Sequence, residues 1–350
     1  IIWIGLYAAR QNRTSDEYFK GGGRIPWVIA GLSNWASGYS AFMFVAAAGF
    51  TYLYGVGAVI IFTSAVWAYI LGYFVFGKLW RRARISSPLQ FLTRRYSPST
   101  TYFYSIASII PQIVGIGQGL YILCIFISTA LGFNEREFDL GVAAVTGFQL
   151  SIILVGAVMV IYSVIGGLWA AVLSDTVQSV IIMTMTVIIF PVSFSYLGDG
   201  RGFLAGFSRL LSEAPQGYLQ VSGDTANPLF LIAYFVNVLL GYNVGWAIVQ
   251  RYYSVSDERD TKKMALLCAV LALIGPLLWI LPVMASRIIF PDINSLWPSF
   301  AVPAEASFVS LALLLLPHGL IGFVVSAILS ATLGQANDAF NWLAATLTRD

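Results

Sequence analysis

Apolar runs long enough to cross a membrane follow one another along almost the whole chain, and this feature constrains the fold more than any other. A remnant run covers residues 1–9 and is followed by eight longer ones. The longer runs cover residues 26–52, 57–80, 101–132, 142–165, 168–197, 228–250, 264–290 and 306–347. A helix needs about 20 apolar residues to cross a bilayer, and lipid excludes irregular exposed backbone. The sequence therefore predicts an all-α multi-pass membrane protein.

The eighth run is too long for a single crossing. The turn Pro317-His318-Gly319 is predicted to divide it into a short helix near the outer surface and a true span from about residue 319. Polar stretches between the runs are short apart from 198–227, so residues 1–350 are predicted to form one transmembrane domain. Because the chain begins inside an apolar run and stops without a tail, we expect it to be a fragment of a longer protein.

Composition excludes several other classes of protein. Only 10% of the 350 residues are charged, whereas a soluble domain has about a quarter. The net charge of +3 gives no reason to expect a nucleic-acid partner. Cys124 and Cys268 lie inside apolar runs, and His318 is the one histidine. These residues cannot supply a disulfide framework, a zinc site or a histidine-based catalytic triad, so the sequence predicts neither an enzyme nor a resident cofactor.

The positions of lysine and arginine predict the orientation in the membrane. Alternate connections, chiefly 10–24, 76–96 and 251–263, contain 15 of the 19 basic residues. The opposite connections contain Arg136, Arg201, Arg209 and Arg287. Cytoplasmic loops carry an excess of basic residues. We therefore predict an integral protein of the plasma (inner) membrane with loops 10–24, 76–96 and 251–263 in the cytoplasm.

Two acidic residues, Asp175 and Asp338, lie inside apolar runs. A charge at the centre of a bilayer costs a few kcal/mol, so each is a candidate for function. Asp175 can instead be an acid at the start of a helix, favoured by the helix dipole. Asp338 is accompanied by Gln335, Asn337 and Asn341, and this polar stripe can instead be an interhelical hydrogen-bond cluster.

Two of the runs are interrupted. Small and polar residues occupy 33–40 in the middle of the first run, and a similar interruption covers 241–245 in the sixth. Gln112 beside Pro111 gives the third run a polar position. Broken helices near the midplane commonly form the binding sites of secondary transporters, although glycine and serine also occur where helices cross closely.

Several motifs carry a resemblance to a known family. They are SDEYF (15–19), GRIPW (23–27), SPLQFLTRRY (87–96), YSVIGGLWAA (162–171), SDTVQ (174–178), Gln250-Arg251, LPHGL (316–320), and Asn341 with Thr346 and Thr348. The chain resembles the sodium:solute symporters, which include sodium/glucose, sodium/proline and sialic acid symporters. The resemblance runs along the whole chain, and the tyrosine, the glycine pair and the following Asp-x-x-Gln are its most specific part.

This resemblance implies a leucine-transporter-type five-plus-five inverted repeat with broken first and sixth core helices. Residues 26–197 would form the first repeat, and 228–350 an incomplete second repeat. The implied function is alternating-access transport of a small polar organic solute, by cation-coupled symport. The midplane site is expected to be formed by Ser37, Ser40, Phe42, Gln112, Tyr242 and Asn243.

The resemblance also implies a sodium site between the first and eighth core helices. Its carbonyl positions fall on Ala36, Tyr39 and Ala331, and its two hydroxyl positions fall on Gly334 and Gln335. Gly334 has no side-chain oxygen for a hard cation, so the usual site is partly lost. Asp175 matches the acid on the family's ion path, and Asp338 can supply a charge or carry a proton. We therefore expect weak or absent sodium dependence, coupling through Asp338 or Asp175, and higher sodium affinity after Gly334→Ser with Gln335→Ser.

One alternative belongs to another class. A transporter-like sensor would read the same solute and signal through a domain beyond residue 350, and the damaged sodium site favours it to some extent. A membrane enzyme is less favoured, because no nucleophile, base and orienting group are predicted to converge. The coupling ion is expected to be sodium or a proton, and the partners are the solute and the bilayer.

Overall fold

The computed structural model describes residues 14–348, except 39–40, 86, 131, 134–135, 140, 142–143, 222–226 and 299–301. The described chain is almost entirely helical. The helices are α1 (Ser15–Lys20), α2 (Trp27–Ala36), α3 (Ala41–Phe44), α4 (Ala46–Tyr54), α5 (Val56–Thr63), α6 (Ala65–Leu71), α7 (Gly77–Arg82), α8 (Pro88–Arg95), α9 (Pro98–Ala130), α10 (Gly147–Leu197), α11 (Phe203–Glu213), α12 (Pro228–Val244), α13 (Trp246–Ser254), α14 (Glu258–Ile289), α15 (Ile293–Leu296), α16 (Ser307–Leu315) and α17 (His318–Thr348).

Shorter elements join some of these helices. A π-helical turn (Gly72–Phe76) connects α6 to α7, and 3₁₀ turns cover Gly21–Gly23 and Pro303–Ala306. The strands β1 (Glu137–Asp139) and β2 (Ala144–Thr146) form an antiparallel pair before α10.

Five helical stretches of the described residues are long and apolar enough to cross a membrane. They are Val56–Arg82, Pro98–Ile125, Gly167–Leu197, Pro228–Ser254 and Glu258–Ile289. The apolar stretches Phe42–Tyr54, Gly147–Ile161 and Pro303–Leu315 are shorter. The first predicted run, 26–52, is not one continuous helix, because α2 ends at Ala36. The remnant run 1–9 lies outside the described residues.

Glycine and proline mark the two boundaries that the sequence predicts inside long apolar stretches. Helix α10 extends over 51 residues but is bent at Gly167, whose backbone has φ 59° and ψ −173°. Positive φ of this kind is accessible to glycine at little cost. The second boundary falls at Pro317, between the end of α16 and the start of α17. The part of α10 after the bend, 168–197, forms much of the core.

The core lies where α10 packs against α2, α14 and α17, and where α2 packs against α14. Its large fully buried side chains include Trp279 of α14, Tyr69 of α6, and Tyr252 of α13. Between transmembrane helices such side chains stabilise the packing through van der Waals contact, because lipid is as apolar as they are. The packing brings the C-terminal end of α2 beside the middle of α10 and α17, although these segments are far apart in sequence.

Connections with many basic residues meet at one end of the molecule. The Ile25 amide donates to the Ser254 carbonyl at 3.1 Å, and the Arg81 guanidinium donates to the Ser256 carbonyl at 2.5 Å. At the other end, the Val56 amide donates to the Tyr218 carbonyl at 3.0 Å. We call the first of these the basic end and the second the opposite end.

Candidate functional site

The end of α2 carries two serines that reach across to other helices. The Ser33 hydroxyl donates to Asp175 Oδ2 at 2.6 Å. The Ser37 hydroxyl lies 2.9 Å from Asp338 Oδ2 and 2.9 Å from the Ser33 carbonyl oxygen. The interrupted first span therefore contacts both of the acidic residues that the sequence singles out.

A fully buried arginine joins these two acids. Arg251 Nη2 lies 2.7 Å from both carboxylate oxygens of Asp338 and 3.1 Å from Asp175 Oδ2. Its Nε donates to the Ser33 hydroxyl oxygen at 3.1 Å. The side chain of Arg251 is 0% exposed, and those of Asp175 and Asp338 are 2% exposed. Removing one partner of such a buried pair leaves an uncompensated charge and is strongly destabilising.

We call Ser33, Ser37, Asp175, Arg251 and Asp338 the junction cluster. It links four helices, α2, α10, α13 and α17. With both carboxylates ionised, one guanidinium and two carboxylates give the cluster a net charge of −1. Buried charges must be paired or otherwise compensated, so both carboxylates depend on the one guanidinium for compensation.

Arg251 belongs to the site, although the sequence does not mark it as a site residue. Its place in the sequence suggests a cytoplasmic loop spanning 251–263, whereas the structure puts it inside α13 and buries it. The two acids, Asp175 and Asp338, are the sequence signal that points to such a residue, since buried carboxylates require a cationic or hydrogen-bonding partner. Arg251, in the Gln250-Arg251 motif directly after the sixth apolar run, is the basic residue that the sequence offers as such a partner.

The two alternatives for the acids fare differently. Asp175 lies two helical turns beyond the bend at Gly167, so the helix dipole at a helix start does not account for its position. Asp338 does belong to an interhelical hydrogen-bond cluster. Its neighbours on the predicted stripe, Asn337 and Asn341, are buried, yet their amide groups have no hydrogen-bond partner among the described residues.

Gly334 brings the backbone of α17 against polar side chains of α10. A Cβ atom at this position would lie 2.4 Å from Asp175 Oδ1 and 2.7 Å from Gln178 Oε1. Contacts this short force one of the groups to move. Glycine therefore lets the Asp175 carboxylate approach the backbone of α17, and a serine here could provide a sodium ligand only if that carboxylate moved away.

A small cavity adjoins the cluster, and we call it the polar pocket. Its volume is about 270 Å³. It is lined by Ser37, Gln112, Gly115, Ile116, Gly119, Met159, Ile248, Thr332, Gln335, Ala336, Asp338 and Ala339. Among these described lining residues, Asp338 is the one with a charge. The pocket thus brings together Ser37, Gln112, Gln335 and Asp338 from the sequence-predicted sets.

A larger cavity of about 1240 Å³ leads away from the polar pocket, with Gln112 and Ile248 lining both. We call it the apolar cavity, because aromatic and aliphatic side chains such as Trp246 form most of its wall. Its lining also includes Arg82 and Phe91, which lie at the basic end. The two cavities are therefore adjacent, and the polar pocket is the one that reaches Ser37 and Asp338 of the junction cluster.

Other sequence-predicted residues lie elsewhere. The Tyr242 ring contacts the Tyr69 ring edge-on at a centroid distance of 5.1 Å. The Asn243 amide donates to the Ala68 carbonyl at 3.0 Å and to the Leu239 carbonyl at 2.9 Å. Neither residue is among the described lining residues of the two cavities, and Asn243 has the partners of a helix-packing residue. Their role in solute binding stays a prediction.

The remaining predicted positions fall at the margins of the site. Phe42 is 41% exposed on α3, and Ala36 is buried at the end of α2. Ala331 lies on α17, three residues before Gly334. Tyr39 and Ser40, predicted for the ion and solute sites respectively, lie outside the described residues.

The apolar helices and the buried polar site define an integral membrane protein. Comparison with known proteins identifies the family. The model of the sodium:solute symporter family matches residues 18–350, and the chain belongs to that family. The resemblance carried by the sequence motifs is thereby confirmed.

Several relatives align over the full length of this chain. The "Sodium/sialic acid symporter NanT" of Aliivibrio fischeri is 24% identical over 100% of the chain and 67% of its own length. The "Sodium/glucose cotransporter" of Vibrio parahaemolyticus is 25% identical, with 66% of its length covered. "Solute carrier family 5 member 4A" of Mus musculus is also 25% identical, with 56% covered. The chain thus spans about two thirds of the bacterial relatives and little more than half of the mammalian one.

A solved structure shares the fold. It is described as the "substrate-bound outward-open state of a Na+-coupled sialic acid symporter". The TM-score is 0.83, at 20% sequence identity, over 99% of this chain and 71% of that one. At this identity the likeness establishes the fold alone. The five-plus-five inverted repeat, with 26–197 and 228–350 as its halves, stays a prediction.

Proposed function

We propose that this chain is the transport core of a secondary transporter that moves a small polar organic solute by alternating access, coupled to a cation. The observation that carries this proposal is the polar pocket. It places a carboxylate, two amides and two hydroxyls beside the helix interruption that follows α2. Such interruptions are where secondary transporters bind solutes and ions.

The two adjacent cavities are the proposed path of the solute. The apolar cavity is lined by residues of the basic end, such as Arg82, and shares Gln112 and Ile248 with the polar pocket. At the opposite end, the Tyr52 hydroxyl donates to the Phe290 carbonyl at 2.5 Å and the Tyr218 hydroxyl donates to the Thr51 carbonyl at 3.0 Å. These contacts join separate elements there, and we assign the structure to a state open at the basic end and closed at the opposite end.

The basic end faces the cytoplasm in this proposal. Its support is the excess of lysine and arginine in loops 10–24, 76–96 and 251–263. The contacts of Ile25 with Ser254 and of Arg81 with Ser256 are consistent with all three loops being on one side. The membrane that we propose is the plasma (inner) membrane.

The solute is proposed to contact Ser37 and Gln112 directly in the polar pocket. Ser40, Phe42, Tyr242 and Asn243 would complete the site in another conformation of the helices. The names of the relatives include sialic acid and glucose symporters, and this supports a small polar organic solute. It does not select one.

Family membership supports sodium as the coupling ion. The proposed ion positions are Ala36, Tyr39, Ala331, Gly334, Gln335, Asp175 and Asp338. Of these, Gln335 and Asp338 line the polar pocket. Because the relatives are named as symporters, the sensor has no support from these findings.

The test is uptake by the full-length protein in proteoliposomes. A panel of sugars, amino acids and carboxylates is offered with and without a sodium gradient. For a solute that is taken up, Ser37→Leu and Gln112→Leu should abolish binding, because each leucine fills the pocket and removes a polar contact. The matched control is Ser326→Leu, at an exposed position of α17 where the hydroxyl bonds only to its own helix.

Two results would contradict the proposal. One is the absence of uptake for every solute by a protein shown to be folded. The other is unchanged solute affinity in both Ser37→Leu and Gln112→Leu, which would remove the polar pocket from the binding site.

A further inference from the structure

We propose that Arg251 is a tethered cation that takes the place of a bound sodium ion where α2 meets α10 and α17. This inference rests on the proposed function but changes its ion site: Asp175 and Asp338 hold the guanidinium of Arg251 in place of a sodium ion. Its test measures ion binding and not uptake, so the inference and the transport proposal can fail separately.

The junction cluster lies where the family resemblance predicts a sodium site. The family resemblance places a sodium ion between the end of α2 and residues Ala331 to Gln335 of α17. The junction cluster connects the same two helices, because Ser37 contacts Asp338 and Ser33 contacts both Asp175 and Arg251. A cation that holds α2 to α17 is therefore already present, and it belongs to α13.

The Asp175 carboxylate fills the space beside Gly334. Asp175 Oδ1 occupies the volume that a side chain at position 334 would need, at 2.4 Å from the would-be Cβ. Gly334 therefore leaves room for the Asp175 carboxylate against α17, and that carboxylate is paired with Arg251 at 3.1 Å.

The oxygen atoms of the junction cluster are already engaged by the guanidinium. A sodium ion is bound by oxygen atoms, which must replace its hydration shell. In the junction cluster these oxygens already accept hydrogen bonds from a guanidinium, whose planar array of donors suits two carboxylates. A sodium ion entering beside Arg251 would meet a like charge and oxygens that are already engaged. The guanidinium also needs no uptake from solution, because it is covalently attached.

The experiment compares sodium-specific stabilisation of the purified full-length protein in detergent. Melting temperatures are measured at fixed pH while sodium chloride replaces choline chloride at constant ionic strength. We expect wild type to change by no more than about 1 °C, whereas Arg251→Gln should gain a saturable rise on the order of 5 °C from ion binding. Arg251→Lys keeps the charge and should respond as wild type does.

A matched control is available at Arg209, which also lies between two carboxylates but is solvent-accessible. Arg209→Gln should acquire no sodium response. In Arg251→Gln with Asp338→Asn, one carboxylate has been removed along with the guanidinium, and the sodium gain should be largely lost.

Two outcomes overturn the inference. The first is a saturable sodium-specific stabilisation of wild type that Asp338→Asn abolishes. The second is a folded Arg251→Gln variant that gains no sodium response. If Arg251→Gln cannot be purified, binding of radioactive sodium to wild type and Asp338→Asn decides, because the inference expects no difference between them.

Discussion

Two regions of the molecule contain the same group of charges, one arginine between two carboxylates. In the junction cluster, Arg251 lies 3.1 Å from Asp175 and 2.7 Å from Asp338. At the opposite end, Arg209 of α11 lies 2.8 Å from Asp199 and 2.8 Å from Glu213. The two regions differ in how far their charges are exposed to water. The side chain of Arg251 is 0% exposed, and that of Arg209 is 34% exposed.

This difference determines how the charges depend on one another. Around Arg209, water and salt compensate a carboxylate that loses its partner, so exposed pairs contribute little. Around Arg251, the remaining groups have no such alternative, and the loss of one partner leaves a buried charge. An exposed triad can therefore lose one charge with little loss of stability. In the buried triad, the loss of one charge leaves the others uncompensated and affects the packing of four helices.

The largest expected effect is that of Arg251→Gln, which leaves two buried carboxylates without a cation. We expect the free energy of unfolding in detergent to fall by about 3–5 kcal/mol. Chemical denaturation of the purified protein measures it. Adding Asp338→Asn should restore part of the loss. A loss no larger than that of Arg209→Gln would show that burial does not make the junction cluster different.

The next effect is that of Gly334→Ser, which pushes a side chain against Asp175 and Gln178. Overpacking of this kind should lower the free energy of unfolding by about 1–3 kcal/mol. The control is Gly322→Ser on the same helix, where a Cβ meets nothing within 4 Å. Equal effects of the two substitutions in the denaturation experiment would contradict the close approach. An increase in sodium affinity in Gly334→Ser alone would show that Asp175 moves aside readily.

A smaller change is expected for Asp175→Asn, which preserves volume and leaves Arg251 paired with Asp338. We expect slower turnover in proteoliposomes, with a smaller loss of equilibrium solute binding, because the variant changes the charge that the helices share during alternating access. Asp199→Asn is the matched change in the exposed triad. Wild-type turnover in Asp175→Asn would remove this carboxylate from the transport cycle.

The smallest effect belongs to Arg209→Gln. Since water screens Asp199 and Glu213, the melting temperature should stay within about 1 °C of wild type, with unchanged uptake. Differential scanning measurements at low and high salt provide the check. A marked, salt-sensitive loss of stability would mean that the exposed triad contributes as a network and that the contrast between the two regions is weaker than proposed.

Much of the fold could be predicted from the sequence because it depends on local properties. Apolar runs indicate membrane crossings, and the bend at Gly167 and the boundary at Pro317 follow from backbone preferences of single residues. The two interrupted runs were less informative. Both contain small and polar residues, yet Ser37 faces a polar pocket while Asn243 bonds to backbone carbonyls of packed helices.

The candidate site shows the same division. Asp175 and Asp338 stand out in the sequence because charges are costly in a bilayer, and each lies in the junction cluster. Arg251 does not stand out, since a basic residue just after an apolar run reads as part of a loop. Its burial depends on the way α13 packs against α2 and α17, and hydropathy along the chain contains no record of that packing.

By itself, then, the sequence determined that this chain lies in a membrane, where its helices bend or stop, and which two acids need a reason to be buried. The tertiary structure decided what those acids contact. Ser37 and Asp338 are 301 residues apart in the chain, and Arg251 is 76 residues from Asp175. Hydrophobicity and backbone preference act over a few residues, whereas the distance between two charges, and so their electrostatic energy, is fixed only when the helices have packed.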